Sequence, residues 1–323
     1  MTAVDPLSHG TRNPGTPLDL ALVRDLHIDR SSAERRAAQL PARRTVKKEW
    51  QAAWLLRAVQ TMDLTTLSGD DTPGTVRRLC AKAQRPVKGE TLKTLGVESP
   101  IHVAAVCVYH EMVPHAVKAL DGTEIPVAAV SAGFPHGLSP LRARLEEIKA
   151  SVEAGAREID IVITRSHVLT GQWRALYDEI AAMREACGEA HMKTILGTGE
   201  LGTLTNVARA SEVAMMAGSD FIKTSTGKEP VNATLPVGLT MARRIRAYHD
   251  RTGYKVGFKP AGGIRTAKQS LDWLILMKEE LGDAWTRPNL FRLGASSLLS
   301  DIERQLDHAA TGRYAAPWKQ PVV

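Results

Sequence analysis

From residue 57 onwards the chain alternates short, near-continuously apolar runs with longer amphipathic stretches, and few folds are open to a chain patterned this way. The apolar runs fall at 62–67, 103–109, 127–132, 159–164, 192–196, 221–225, 256–260 and 291–294, and each is rich in the residues of strands buried on both faces. The stretches between them carry helix signals. Ser139 and Pro140 stand at the start of a stretch in which Leu141, Leu145, Ile148 and Val152 fall on one helical face, with Gly155 beyond its end. Thr72 and Pro73 open an earlier helix in the same way, and Thr205 precedes the periodic run Val207, Ala210, Val213, Ala214 and Ala217. Eight βα units in about 250 residues match one (β/α)8 TIM barrel, with a doubly wound sheet as the competing arrangement. In either fold ligands gather at the carboxyl ends of the strands, so a polar residue late in a strand is where chemistry is to be sought.

The rhythm is missing from the first fifty residues. They hold Pro6, Pro14 and Pro17, then the basic residues Arg30, Arg35, Arg36, Arg43, Arg44, Lys47 and Lys48, interrupted by Asp29 and Glu34. The expected organisation is an N-terminal helical extension over 1–50 packed on the main domain, a barrel over 51–312 and a tail over 313–323. Lys plus Arg outnumber Asp plus Glu by 42 to 35, a formal charge of +7 that suits anionic ligands but equally an ordinary solvated surface. No aromatics interleave the basic stretch before Trp50 and Trp54, so neither a nucleic-acid nor a membrane partner is expected. Cys80, Cys107 and Cys187 are odd in number and lack CxxC spacing, which excludes a disulfide framework or a cysteine zinc site and fits a reducing cytoplasm. With no apolar run of about eighteen residues and no hydrophobic leader, neither a membrane span nor a secretory signal is expected.

Two lysines break the apolar rule in neighbouring strands: Lys223 in Asp220-Phe-Ile-Lys-Thr-Ser-Thr-Gly-Lys228 and Lys259 in Gly257-Phe-Lys-Pro-Ala-Gly-Gly-Ile-Arg-Thr266. Alternation turns Ile222 and Phe258 towards the helices and both lysines into the barrel, on strands roughly 4.8 Å apart. Two ammonium groups about 5 Å apart at an effective dielectric near 20 repel by about 3 kcal/mol, which favours neutrality of one of them, and burial acts in the same direction. A neutral amine is what attack on an aldehyde or ketone requires. Asp160, in Glu158-Ile-Asp-Ile-Val162, shares the inner side and can accept and return the proton that such an attack displaces. Lys193 is a rival amine, but it stands at the beginning of its strand and is assigned a structural role, pairing Glu158 or Asp160. A buried ion-pair cluster that only stabilises the core is the alternative for any of these residues alone, and three together near strand ends weigh against it.

Three glycine-containing loops follow the last three strands: Thr226-Gly227-Lys228, Gly262-Gly263 and Gly294-Ala295-Ser296-Ser297. Their backbone amides, with hydroxyl and ammonium donors beside them, suit a phosphate, and barrels of this kind often hold phosphate after strands seven and eight at a helix N-terminus. Cys107, on the second strand, is a candidate neighbour of the pocket, with a buried structural thiol as its simpler reading.

The stretches Met62-Asp-Leu-Thr-Thr-Leu67, Val106-Cys-Val-Tyr109, Glu158-Ile-Asp160, Thr198-Gly-Glu-Leu201, Asp220 to Lys228, Gly257 to Thr266 and Gly294 to Ser297 closely resemble those of the deoxyribose-phosphate aldolases. The resemblance runs from about Arg44 to Ala315. It implies that Lys223 forms the Schiff base, that Lys259 perturbs it and relays protons, and that Asp160 is their acid/base partner; the residues alone do not choose between the two lysines. It further implies reversible cleavage of 2-deoxy-D-ribose 5-phosphate to acetaldehyde and D-glyceraldehyde 3-phosphate without a cofactor, in deoxyribonucleotide catabolism. Asp63 and Thr65 would contact substrate hydroxyls, and the three loops the phosphate. The partners implied are a sugar phosphate and aldehydes, with self-association left open. The chain departs from the family at His110, where many members have proline, and at Thr164-Arg165, where shorter members are more aromatic. Short members end in a tyrosine that reaches the site; here Tyr314 is the counterpart candidate, with nine residues beyond it, an arrangement resembling the longer animal forms.

Three other readings compete. Gly197-Thr-Gly199-Glu-Leu-Gly202 satisfies GxGxxG, the signature of an NAD-dependent oxidoreductase, but Asp220 opens the following strand and so cannot reach a ribose from the carboxyl edge. A zinc-dependent aldolase would need a ligand cluster, and His110-Glu-Met-Val-Pro-His115 has one residue too many for HExxH, so no metal is expected. A non-catalytic sugar-phosphate binding protein would keep the anion loops but not depend on Lys223. A Walker loop is excluded because Glu229 follows Gly227-Lys228 and Ile222 stands where it needs glycine.

Overall fold

The computed structural model describes residues 12–43 and 46–316. Among the described residues three helices come first: α1 (Leu20–Asp25), α2 (Arg30–Arg43) and α3 (Lys48–Gln60). Eight strands follow, β1 (Met62–Thr65), β2 (Ala105–Tyr109), β3 (Val127–Val130), β4 (Glu158–Val162), β5 (His191–Ile195), β6 (Phe221–Lys223), β7 (Gly257–Lys259) and β8 (Leu293–Ala295). Between and after them lie α4 (Pro73–Gln84), α5 (Gly89–Thr94), α6 (Val113–Ala119), α7 (Leu141–Glu153), α8 (Arg165–Leu169), α9 (Trp173–Ala186), α10 (Leu204–Met216), α11 (Leu235–Thr252), α12 (Ala267–Leu281) and α13 (Leu298–Thr311).

All strand pairs are parallel, in the order β7-β6-β5-β4-β3-β2-β1-β8. The parallel bridges Phe258 to Phe291 and Ala261 to Gly294 join the two ends, so the sheet closes into the (β/α)8 barrel that the eightfold rhythm predicts. Every strand predicted from the sequence is present, each shorter than its apolar run except β5, which keeps its length and starts one residue earlier. The trimmed residues continue as loops, and those at the carboxyl ends line the mouth. Thr72 caps α4 as expected, its hydroxyl accepting from Thr75 N. Two other caps lie elsewhere: Thr203 caps α10, leaving Thr205 to accept from Ile28 N, and Pro140 precedes α7 with no side-chain cap from Ser139.

The N-terminal segment is laced to the barrel wall. Asn13 is buried, its side-chain amide donating to Met215 O (2.8 Å) and Ser219 O (3.0 Å), while Tyr248 OH donates to its carbonyl oxygen (3.0 Å). Val23, Ala33, Ala37 and Leu40 are buried, and Arg36 meets Glu280 at 3.2 Å. The expected boundary at residue 50 falls inside α3, whose Leu55, Leu56 and Val59 join the main core. Pro6, Arg44 and residues 317–323 of the expected tail lie outside the described residues. Among the described residues no helix is long and apolar enough to cross a membrane.

Candidate active site

Strand alternation and register bring the inward residues of β4 to β8 together. Lys223 pairs with Lys259 across β6 and β7, and Asp160 with Lys193 across β4 and β5. The four side chains meet at one carboxylate. Asp160 Oδ2 accepts from Lys223 Nζ at 2.8 Å and from Lys259 Nζ at 2.7 Å, while Oδ1 accepts from Lys193 Nζ at 2.8 Å. Below this layer Lys193 reaches Glu158 (2.6 Å), Lys259 reaches Asp63 (2.5 Å), and Arg292 bridges Asp63 (2.7 Å) and Glu158 (2.8 Å). All seven side chains are buried.

Counting charge in this closed space identifies the odd member. Asp63, Glu158 and Asp160 balance Lys193, Lys259 and Arg292, so a protonated Lys223 would be a fourth cation without an anion of its own. The shifts of the individual groups agree. Burial lowers the Lys223 amine and Lys259 reinforces that, with Asp160 opposing, and the net direction is down. Burial also disfavours charge on Lys259, but Asp160 and Asp63 together lift it above the ordinary lysine range. Burial would raise Asp160, yet Lys193, Lys223 and Lys259 hold it well below the usual carboxylate range. The arrangement is therefore one amine prone to neutrality, one fixed ammonium and one fixed carboxylate, which is the equipment for attack on a carbonyl with proton transfer beside it.

Lys223 alone of the inward charged residues lines the cleft above, an opening of about 650 Å³ bounded by Thr65 to Ser68 after β1, Thr226 to Lys228 after β6, Ala261 to Arg265 after β7 and Gly294 to Ser297 in and after β8. The three glycine loops expected to form an anion site thus converge on one cavity with Lys223 at its floor. Gly262 and Gly263 both take left-handed backbone angles (φ +81° and +80°), and a side chain at Gly262 would collide with Asn232 at 2.6 Å. Ser296 and Ser297 are exposed at the N-terminus of α13, where amide dipoles favour an anion.

Several of the expected site residues already have partners within the protein or lie away from the cleft. Asp63 has no exposed surface, and its carboxylate pairs with Lys259 and Arg292 beneath the cleft. Thr65 does reach the cleft, its hydroxyl donating to Asp63 O. The donors of Thr226 and Gly227 are already used: Glu229 accepts from both backbone N–H groups (3.0 and 3.1 Å) and from the Thr226 hydroxyl (2.7 Å). Of that loop Lys228 remains, donating to Leu67 O at 2.9 Å across the cleft. Tyr314 is 56% exposed and stacks on His308 at the far end of α13, about 21 Å of helix from Ser297. Cys107 is fully buried in a small apolar cluster with Ala128 and Val130, and burial raises its thiol, as a structural cysteine requires.

Arg292 and Arg265 join the expected residues at the site. Arg292 carried the same signal as the lysines, a charge between Phe291 and Leu293 in an apolar run, and Arg265 lay within a quoted motif. The loop after β5 does not serve a dinucleotide: a side chain at Gly199 would stand 1.9 Å from Val231 O, and Asp220 is occupied by Asn13 N, Met192 N and Arg184.

A parallel (β/α)8 barrel with a perturbed amine at the carboxyl end of a strand, a paired acid and an anion cleft defines a carbonyl-attacking enzyme of the aldolase kind. Residues 57–301 match the DeoC/LacD family aldolase, and the chain belongs to that family; it is a carbon–carbon lyase. It is 64% identical over 307 residues to the deoxyribose-phosphate aldolase of Homo sapiens, covering 94% of this chain and 96% of that protein. The Mus musculus enzyme of the same name is 64% identical over 305 residues with the same coverage. Among solved structures, the tetrameric deoxyribose phosphate aldolase of Aeropyrum pernix covers 86% of this chain and 99% of its own with a TM-score of 0.60 and 20% identity, a likeness of fold.

Proposed function

We propose that the chain reversibly cleaves 2-deoxy-D-ribose 5-phosphate to acetaldehyde and D-glyceraldehyde 3-phosphate through a Schiff base on Lys223. The observation that carries this reading is the sharing of Asp160 Oδ2 by two lysines whose amines shift in opposite directions. Neutral Lys223 Nζ adds to the C1 carbonyl of the open-chain sugar to give a carbinolamine, and the hydroxyl leaves as water once protonated. The resulting iminium accepts the electron pair of the C2–C3 bond as it breaks. The C3 hydroxyl gives its proton to a base, and C3 becomes the aldehyde of glyceraldehyde 3-phosphate. The enamine left on Lys223 takes a proton at C2, and water then releases acetaldehyde. Asp160 accepts and returns these protons in this reading, which its hydrogen bonds to Lys223 and Lys259 support, and the Lys259 ammonium holds it charged.

The phosphate lies in the cleft against the Gly262-Gly263 amides, the Ser296-Ser297 end of α13, Lys228 and Arg265. The expected surroundings are a reducing cytoplasm, consistent with three free buried cysteines, and a homo-oligomer, for which the Aeropyrum enzyme is a tetrameric precedent. Borohydride reduction in the presence of acetaldehyde, followed by peptide mapping, tests the central claim. An ethyl adduct on Lys223 is expected; an adduct confined to Lys259 or Lys193, or none, overturns the assignment.

A further inference from the structure

Arg165, which opens α8 after β4, spends its whole guanidinium inside the protein. Its NH1 donates to His136 O at 3.0 Å and its NH2 to Pro135 O at 3.2 Å, both in the loop after β3. Nε lies 2.8 Å from Glu200 in the loop after β5, and NH2 lies 3.3 Å from Glu229 in the loop after β6. The side chain passes so close to the backbone after β5 that a Cβ at Gly197 would stand 2.2 Å from Nε. One cation therefore ties together three of the loops around the barrel mouth.

Glu229 is the link from this cation to the cleft. Its carboxylate gathers the Thr226 N–H, the Thr226 hydroxyl and the Gly227 N–H, and the same hydroxyl accepts from Lys228 N at 3.1 Å. These bonds fix the three residues that end with the Lys228 ammonium over the cleft. A buried carboxylate beside an anion site would also repel the anion unless a cation neutralised it, and Arg165 supplies that charge. Burial would raise the Glu229 carboxyl, but the bonds from Thr226 and the charge of Arg165 hold it below the usual range, so it is ionised.

We propose that Arg165 and Glu229 are positioning residues that pre-form the Thr226-Gly227-Lys228 loop for the substrate phosphate, so that preference for a phosphorylated sugar depends on a pair that does not touch it. This rests on the substrate reading given above. Neither residue faces the reacting carbon, so the pair acts on phosphate binding and leaves the chemistry at Lys223 alone.

Steady-state kinetics with 2-deoxyribose 5-phosphate and with unphosphorylated 2-deoxyribose separates the possibilities. Arg165→Met is expected to raise KM for the phosphorylated sugar about tenfold, the scale of a lost charge-assisted bond. It should leave kcat for that sugar, and kcat/KM for 2-deoxyribose, within about threefold. Glu229→Gln, which is isosteric, should move the same KM in the same direction and carries the test alone if the arginine variant does not fold. The double variant should be no worse than Arg165→Met, because the uncompensated carboxylate has gone with its partner. Glu200→Gln, which touches Arg165 but not the loop, should leave the KM values in place. Equal losses on both sugars, a fall in kcat at constant KM, or unchanged kinetics in Glu229→Gln would overturn the proposal. A wild-type protein that cleaves neither sugar would instead remove the substrate reading beneath it.

Discussion

On the side of β2 and β3 the barrel interior is lined by Cys107, Ala128 and Val130, with Leu67, Tyr109 and Phe134 packed against them, whereas from β4 round to β8 it is lined by Glu158, Asp160, Lys193, Lys223, Lys259 and Arg292. The apolar side offers no charge and excludes water, so it lowers the tendency of any nearby amine to hold a proton. The charged side then decides which amine is affected, because among the described residues Lys193 has three carboxylates within ion-pair distance and Lys259 two, while Lys223 has only Asp160. A reactive lysine thus arises from a general desolvation and an unequal distribution of partners.

The sharpest test of that contrast is removal of the odd amine. Lys223→Ala should lower cleavage by about 10⁴-fold or more, as loss of a covalent nucleophile does, while calorimetry shows no loss of stability, because the six remaining charges balance. Retained turnover would place the nucleophile elsewhere. Arg292→Met strips Asp63 and Glu158 of their shared cation and should cost about 3–5 kcal/mol in denaturant unfolding, the scale for breaking a buried pair.

Lys259→Met addresses the asymmetry directly. The reactive form of Lys223 is deprotonated, so kcat/KM falls as pH drops through its folded pKa, and Lys259 helps hold that pKa down. Removing Lys259 should move the acid limb of the profile to higher pH; an unmoved limb would leave desolvation as the sole cause. On the apolar side Val130→Ala should cost only about 1–2 kcal/mol of stability, and a loss larger than that of Arg292→Met would erase the distinction between the two sides. The smallest effect belongs to Tyr314→Phe, for which kcat should stay within about twofold of wild type given its distance along α13; a large loss would bring the tail to the site.

Much of this was legible in the chain itself. Strand number and direction follow from the spacing of apolar runs, and Lys223, Lys259 and Asp160 stood out because a charge in a buried strand has to be compensated. Arg292 carries the same mark, next to the glycine loop that follows it. The engagement of Asp63, Thr226 and Gly227 was not legible for a common reason: a donor or acceptor visible in the sequence says nothing of whether it already has a partner. Glu229 lies two residues from Gly227, yet only the turn of the loop folds its carboxylate back onto those amides.

The sequence by itself determined that this chain makes eight parallel strands with inward amines near the carboxyl ends of two of them, because periodicity is local and each strand states its own buried face. Which amine is pushed towards neutrality, and which donors lack a partner inside the protein, came from the folded arrangement. Those are properties of distances between residues as far apart as Asp63 and Lys259, and in a buried space the partner that is near enough sets the charge.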